Sequence, residues 1–285
     1  MKASSLPAIA VLLLAGALAS AQSPQFSSRV EGVRIDVLVT QNGRPVPGLG
    51  PGDFEVRDNG VVQAVDLVNV GDVPVNAVLT LDVSDSVSGP RLAALQRAGN
   101  ALLDGLTRDD FAALVTFNQM VVRQVPLTKQ VEPVREALGQ AHGAGDTALV
   151  DASLGAMLLG DTDAGRTLIV VFSDGVDTAS VTRPELVVET AKRVNAIVYA
   201  VSTSEETPRF LRDLAAATSG RVLDIGRTGD PGPAFLEVLQ EFRRRYLVTY
   251  TPAGVDKAGW HKLEVRVKRS GARVQARTGY FSSQR

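Results

Sequence analysis

Three short stretches of this chain concentrate oxygen-bearing side chains: Asp82-Val83-Ser84-Asp85-Ser86, Gly145-Asp146-Thr147 and Ser173-Asp174-Gly175. Two carboxylates, Asp82 and Asp174, and three hydroxyls, Ser84, Ser86 and Thr147, could converge on one point. A set made only of oxygen suits a hard divalent cation, Mg²⁺ or Mn²⁺. Mg²⁺ in particular asks for near-octahedral oxygen coordination and keeps several waters. The carboxylates could act directly or through water. Each stretch alone has a plainer reading, since Ser and Asp after a strand cap helices and Asp-Gly makes turns. The cation reading rests on all three occurring in this order, each at the end of an element that can aim it. Asp146 and Asp177 are expected to brace loops or cap helices. Asp151 is expected in the first turn of a helix, where the dipole favours a carboxylate.

Other chemistries are poorly supplied. With Cys 0 there are no disulfides, thiolate sites, Cys nucleophiles or acylated lipoprotein anchor. The two histidines, His142 and His261, lie far apart in sequence, which disfavours His-ligated zinc and His-based catalysis. No His-Glu-x-x-His, Gly-x-Ser-x-Gly or Walker A pattern occurs, and Ser84 stands where an Asp-x-Asp phosphotransferase needs its second carboxylate. A net charge of -1 offers no field for nucleic acid or an anionic membrane, and Arg243-Arg244-Arg245 reads as a solvated face.

The elements that must position the oxygens follow from hydrophobic rhythm. From about Val73 to Arg245, apolar runs alternate with helical patterns. Strands are predicted at Ala77–Leu81, Ala112–Phe117, Val121–Val125, Leu168–Phe172, Ala196–Val201 and Arg221–Ile225. Helices are predicted at Arg91–Leu106, Val131–Ala141, Ala148–Leu159, Pro184–Val194, Pro208–Ala217 and Phe235–Phe242. Strands alternating with helices of this length predict an α/β fold, a doubly wound and mostly parallel sheet covered on both faces. The site falls at the carboxyl ends of its strands, where ligand sites of open α/β sheets form.

The flanks read as pure strand. Residues 28–72 alternate in strand fashion, with turns at Asn42-Gly43 and Asp58-Asn59-Gly60, and form an N-terminal β module. Residues 246–281 hold three more strands, the last spanning Val274–Tyr280, with no helix to pack on. The two ends are therefore expected to complete one β-sandwich with the 73–245 domain inserted between them, shielding Tyr250 and Trp260. Residues 1–21 read as a cleaved signal peptide: Lys2, an apolar run from Ile9 to Leu18, then Ala19-Ser20-Ala21. The protein is expected to be secreted or periplasmic, without a transmembrane anchor.

Asp82-x-Ser84-x-Ser86, Thr147 within Gly145-x-Thr147-x-x-x-x-Ala152, and Asp174 within Ser173-Asp174-Gly175 resemble the metal-ion-dependent adhesion site, or MIDAS, of the von Willebrand factor type A (VWA) superfamily. Val46-Pro47-Gly48-Leu49 with Asp53-Phe54-Glu55-Val56, and Arg277-Thr278-Gly279-Tyr280-Phe281, are similar to the bacterial VWFA-related family, whose members are typically exported. The resemblance implies a VWA domain over 73–245, a Rossmann-like fold, and metal contacts from Ser84, Ser86 and Thr147, with Asp82 and Asp174 acting mostly through water. Asp85 departs from the pattern, because the superfamily often has Gly there. It adds a negative charge beside the site, facing solvent or altering affinity.

The function this implies is a metal-dependent protein-binding module whose Mg²⁺ takes an Asp or Glu of a protein partner. Two readings compete with it. One is a structural envelope protein whose metal only stabilises loops, and the other is a hydrolase using the metal as a Lewis acid. The motif inventory disfavours the enzyme.

Overall fold

The computed structural model describes residues 32–71, 73–160, 165–203, 206–226 and 229–283. The expected signal peptide and the first residues of the N-terminal module lie outside the described residues. From Gly32 the chain forms β1 (Val33–Gln41), β2 (Arg44–Pro45), β3 (Phe54–Asp58), β4 (Val61–Gln63) and β5 (Val65–Asn69), with one 3₁₀ turn at Pro51–Asp53. Strands and helices then alternate. They run β6 (Val75–Asp82), α1 (Pro90–Asp104), β7 (Phe111–Phe117), β8 (Val121–Thr128), α2 (Val131–Gly139) and α3 (Leu149–Gly160). The run continues with β9 (Arg166–Ser173), α4 (Pro184–Ala191), β10 (Ala196–Ser202), α5 (Arg209–Ala217), β11 (Val222–Asp224) and α6 (Pro231–Arg243). The chain closes with β12 (Tyr246–Tyr250), β13 (Ala258–Val267), β14 (Ala272–Gln275) and β15 (Gly279–Ser283).

The middle is an α/β fold around a six-stranded sheet of order β11-β10-β9-β6-β7-β8. Every pairing in it is parallel except β7 with β8, which a short turn joins as an antiparallel edge. Strands β6, β9 and β10 are buried along their whole length, as continuous apolar runs covered on both faces must be. Side chains alternate between the faces. Ala77, Leu79 and Leu81 meet α1, α2 and α6 on one side, while Val78, Ile169 and Val171 meet α3, α4 and α5 on the other. Pro126, which cannot donate to a ladder, is tolerated because β8 lies at the edge.

The strands from the two ends pair with one another. β1 lies between β12 and β14, and β13 lies between β3 and β15. One apolar cluster draws Ile35, Val37 and Val56 from the front together with Tyr246, Val248 and Leu263 from the tail. Asn42 and Asn59 adopt positive φ, each followed by a positive-φ Gly, in the two hairpin turns. Both flanking sheets are antiparallel throughout, so antiparallel pairing predominates over the molecule, and the expected mostly parallel pattern is confined to the central sheet.

Two further expectations need correction. The strand predicted over Val274–Tyr280 is two strands in different sheets, β14 and β15. Between them Arg277 turns inward and donates to the Lys192 carbonyl at 2.9 Å. Trp260 is 45% exposed, whereas Tyr250 is fully buried. The register of β13 sends His261 and Leu263 inward and leaves Trp260 outside.

Candidate metal centre

The topology fixes where the oxygens gather. β6 and β9 are parallel neighbours; from β6 the chain crosses to β7 on one side, and from β9 it crosses to β10 on the other. This reversal opens a crevice at the strands' carboxyl ends. Asp82 is the last residue of β6, and Asp174 follows the last residue of β9. Thr147 lies two residues before α3 begins.

Backbone ties clamp the three loops. Ala144 N–H donates to the Val83 carbonyl and Asp85 N–H to the Gly145 carbonyl, both at 2.9 Å. Thr147 N–H donates to Thr178 Oγ1 at 3.0 Å, and its carbonyl accepts from Thr178 N at 2.9 Å and Ala179 N at 3.1 Å. The approach is close enough to require glycine. A Cβ at Gly143 would lie 2.2 Å from the Val87 carbonyl oxygen, and Gly145 has φ +79°. Asp85 takes part in this clamp, because its Oδ1 accepts from Gly145 N–H at 2.9 Å.

Four of the five expected residues are joined by direct hydrogen bonds. Asp82 Oδ1 accepts from Ser84 N–H at 2.9 Å, and its Oδ2 accepts from Ser173 Oγ at 2.8 Å. Ser84 Oγ and Ser86 Oγ share a hydrogen bond at 3.1 Å, and Ser86 Oγ donates to Asp174 Oδ1 at 2.7 Å. Thr147 stands outside this chain of bonds. It is buried and held by its backbone to the segment that follows Asp174. Two of the other aspartates brace the neighbouring loop. Asp177 accepts from Val150 N–H at 2.8 Å, and Asp151 accepts from Val181 and Thr182 N–H, both at 3.0 Å. Asp146 is exposed.

The electrostatics suit a cation. Asp82 is fully buried, and burial pushes its carboxyl up to about 6 against the hydrogen bonds from Ser84 and Ser173; the nearby Asp174 charge pushes the same way as burial. The buried Asp82 carboxyl thus lies beside two hydroxyls in mutual contact, where a bound cation would favour its ionised form. Oxygen-only donors with few carboxylates fit Mg²⁺ or Mn²⁺. Among the described residues no group of three or more His, Cys, Asp or Glu side chains could hold a metal. Sequence reasoning missed Arg91, whose Nη1 donates to Asp174 Oδ2 at 2.8 Å and to the Ser86 carbonyl at 3.3 Å. Nothing in its spacing marks it. Ser173, by contrast, was visible as the residue closing a strand before Asp-Gly.

The fold and this loop arrangement define a VWA-type α/β domain, and the family comparison agrees. The von Willebrand factor type A domain model matches residues 76–228, and the chain belongs to that family. Among curated proteins no sequence matches. Of solved structures, a von Willebrand factor type A protein from Catenulispora acidiphila is 16% identical with a TM-score of 0.52, the match covering 90% of this chain and 76% of that one. Proximal thread matrix protein 1 from the mussel byssus, solved with a zinc-occupied MIDAS motif, is 12% identical with a TM-score of 0.54, over 65% of this chain and 49% of that one. A D319A mutant of the PilB minor pilin from Streptococcus sanguinis is 11% identical with a TM-score of 0.51, over 61% of this chain and 62% of that one. At these identities the likeness is one of fold. No helix among the described residues is long and apolar enough to cross a membrane.

Proposed function

We propose that this protein is an exported, metal-dependent protein-binding module. Ser84, Ser86 and Thr147 would hold a Mg²⁺ or Mn²⁺ ion, with Asp82 and Asp174 acting mainly through water. When bound, the cation supplies a coordination position for an anionic oxygen from outside. The observation that carries this reading is the bonded series Asp82–Ser84–Ser86–Asp174 at the crevice between β6 and β9. Hydroxyls in direct contact leave more of the cation's charge unneutralised than carboxylates would. An external Asp or Glu then gains a charge-assisted contact. Binding is favoured over catalysis because the sequence carries no His-Glu-x-x-His, Gly-x-Ser-x-Gly or Walker A pattern. The zinc-occupied MIDAS of the mussel protein supports a metal at this place in the fold.

The rest of the chain fits the same reading. The 73–245 domain would be presented by one β-sandwich built from 28–72 and 246–281, and the 1–21 segment would direct export to the periplasm or beyond. The test is a pull-down from envelope extracts with the intact protein, in Mg²⁺ and in chelator, with Asp82→Ala as control. A partner captured only in Mg²⁺ by the wild type, and released when one of its interface Asp or Glu residues becomes the amide, supports the reading. Binding that persists in chelator, or that no acidic substitution weakens, means the partner uses another face. A metal that raises only the melting temperature makes the protein a structural module instead.

A further inference from the structure

Arg91 is the charged group at the site that the metal-binding reading leaves unused. It is the second residue of α1, and its guanidinium bonds both the Asp174 carboxylate and the Ser86 backbone carbonyl. The two oxygens of Asp174 are therefore engaged differently, Oδ1 by the Ser86 hydroxyl and Oδ2 by a permanent cation. The Asp174 side chain is 2% exposed and that of Arg91 is 44% exposed, so the guanidinium covers the carboxylate from the solvent side.

We infer that Arg91 sets the affinity of this site for its divalent cation, acting as a resident positive charge that weakens metal binding. The inference rests on the proposed metal reading of Ser84, Ser86, Thr147, Asp82 and Asp174. A cation seated at the Ser84 and Ser86 hydroxyls draws on the same carboxylate that Arg91 bonds, and it faces a guanidinium held to the backbone of Ser86 itself. Two cations sharing one carboxylate oppose each other, and the coupling is reciprocal: whatever Arg91 takes from the metal, the metal takes from Arg91. Arginine stays charged at every accessible pH, so protonation does not relieve the opposition. Affinity is thereby held down in a site that carries the charges of Asp82, Asp85 and Asp174 within two loops. A brace for the metal loops would act in the opposite direction, since its loss would loosen the ligands and weaken binding.

The sign of one substitution separates the two roles. Mg²⁺ is titrated by calorimetry into chelator-stripped full-length wild type, Arg91→Gln and Arg91→Lys. Arg91→Gln should bind Mg²⁺ about tenfold more tightly, the size expected for a single and a double charge a few ångströms apart in a solvent-facing site. Arg91→Lys, which keeps the charge, should stay close to wild type, and the gap to Arg91→Gln should narrow as KCl is raised. In chelator, Arg91→Gln should melt below wild type because Asp174 has lost its partner. Equal or weaker Mg²⁺ binding by Arg91→Gln, with wild type binding normally, overturns the inference alone. If the wild type takes up no Mg²⁺ and no Mn²⁺, the metal reading fails and this inference falls with it.

Discussion

Replacing Asp82 by Asn should stabilise the protein in chelator at neutral pH while abolishing its response to Mg²⁺. Asp82 is fully buried at the end of β6, and burial lifts its carboxyl from 3.8 to about 6. A carboxyl raised in the folded state favours folding most when protonated. Its contribution is complete below 3.8 and is lost as pH rises through about 6. A rise of that size corresponds to about 3 kcal/mol by pH 8. The amide never ionises and escapes this loss. Its oxygen can still accept from Ser84 N–H. Its NH₂ faces Ser173 Oγ, which would turn to accept and can still donate towards the Gly175 carbonyl at 3.3 Å. Rearranging that hydroxyl brings the expected gain down to about 1–3 kcal/mol. Urea unfolding in EDTA at pH 4.5 and pH 8 measures it. Wild type should lose stability relative to Asp82→Asn between the two pH values, whereas with Mg²⁺ at pH 8 only wild type should gain. If Asp82→Asn is less stable than wild type by the same margin at both pH values in EDTA, the buried carboxylate is not under electrostatic strain and the argument fails.

Three other outcomes follow from the packing. Asp177→Ala removes the acceptor for Val150 N–H at the start of α3 and should cost about 1–2 kcal/mol in chemical denaturation. Asp36→Asn leaves the Arg166 guanidinium buried without its counter-ion, which should cost about 3–5 kcal/mol, and Asp36→Leu combined with Arg166→Met should recover most of that loss. Trp260, the sole tryptophan, should be quenched by acrylamide in the native protein; full protection would contradict the register that turns it outward.

The alternation of apolar runs with helical periodicity marks the six strands and six helices described between Val75 and Arg243. Strands β6, β9 and β10, buried on both faces, leave a continuous apolar signal, whereas the exposed edge strand β8 shows only through its β-branched residues. Element ends moved by up to a few residues. The helix expected to begin at Phe235 starts at Pro231, where Asp230 accepts from Gly232 N–H and caps it. The site stretches were legible because Asp82, Thr147 and Asp174 each stand at the end of an element. Their connections were not, because Arg91, Thr178 and Asp85 act across distances that no local spacing records. The tail is the least legible part of the sequence. An outward Trp260 and an inward His261 differ only in the parity of β13, and parity is set by its pairing with β3 and β15. His261 accordingly emerged as a buried partner of Asp58 at 2.8 Å, stacked on Tyr280, a role that a lone histidine in sequence does not announce.

The central claim is that the hydroxyls of the first loop hold a divalent cation, and the most direct measurement is Mg²⁺ titration calorimetry on the chelator-stripped protein beside its Ser84→Ala/Ser86→Ala double variant. Both proteins should fold alike by circular dichroism, since Asp82 keeps its bonds to Ser84 N–H and Ser173 Oγ. Wild type should give a saturable heat at one site per chain and the double variant none. Equal heats from the two proteins, or no heat from wild type with either Mg²⁺ or Mn²⁺, would contradict the account.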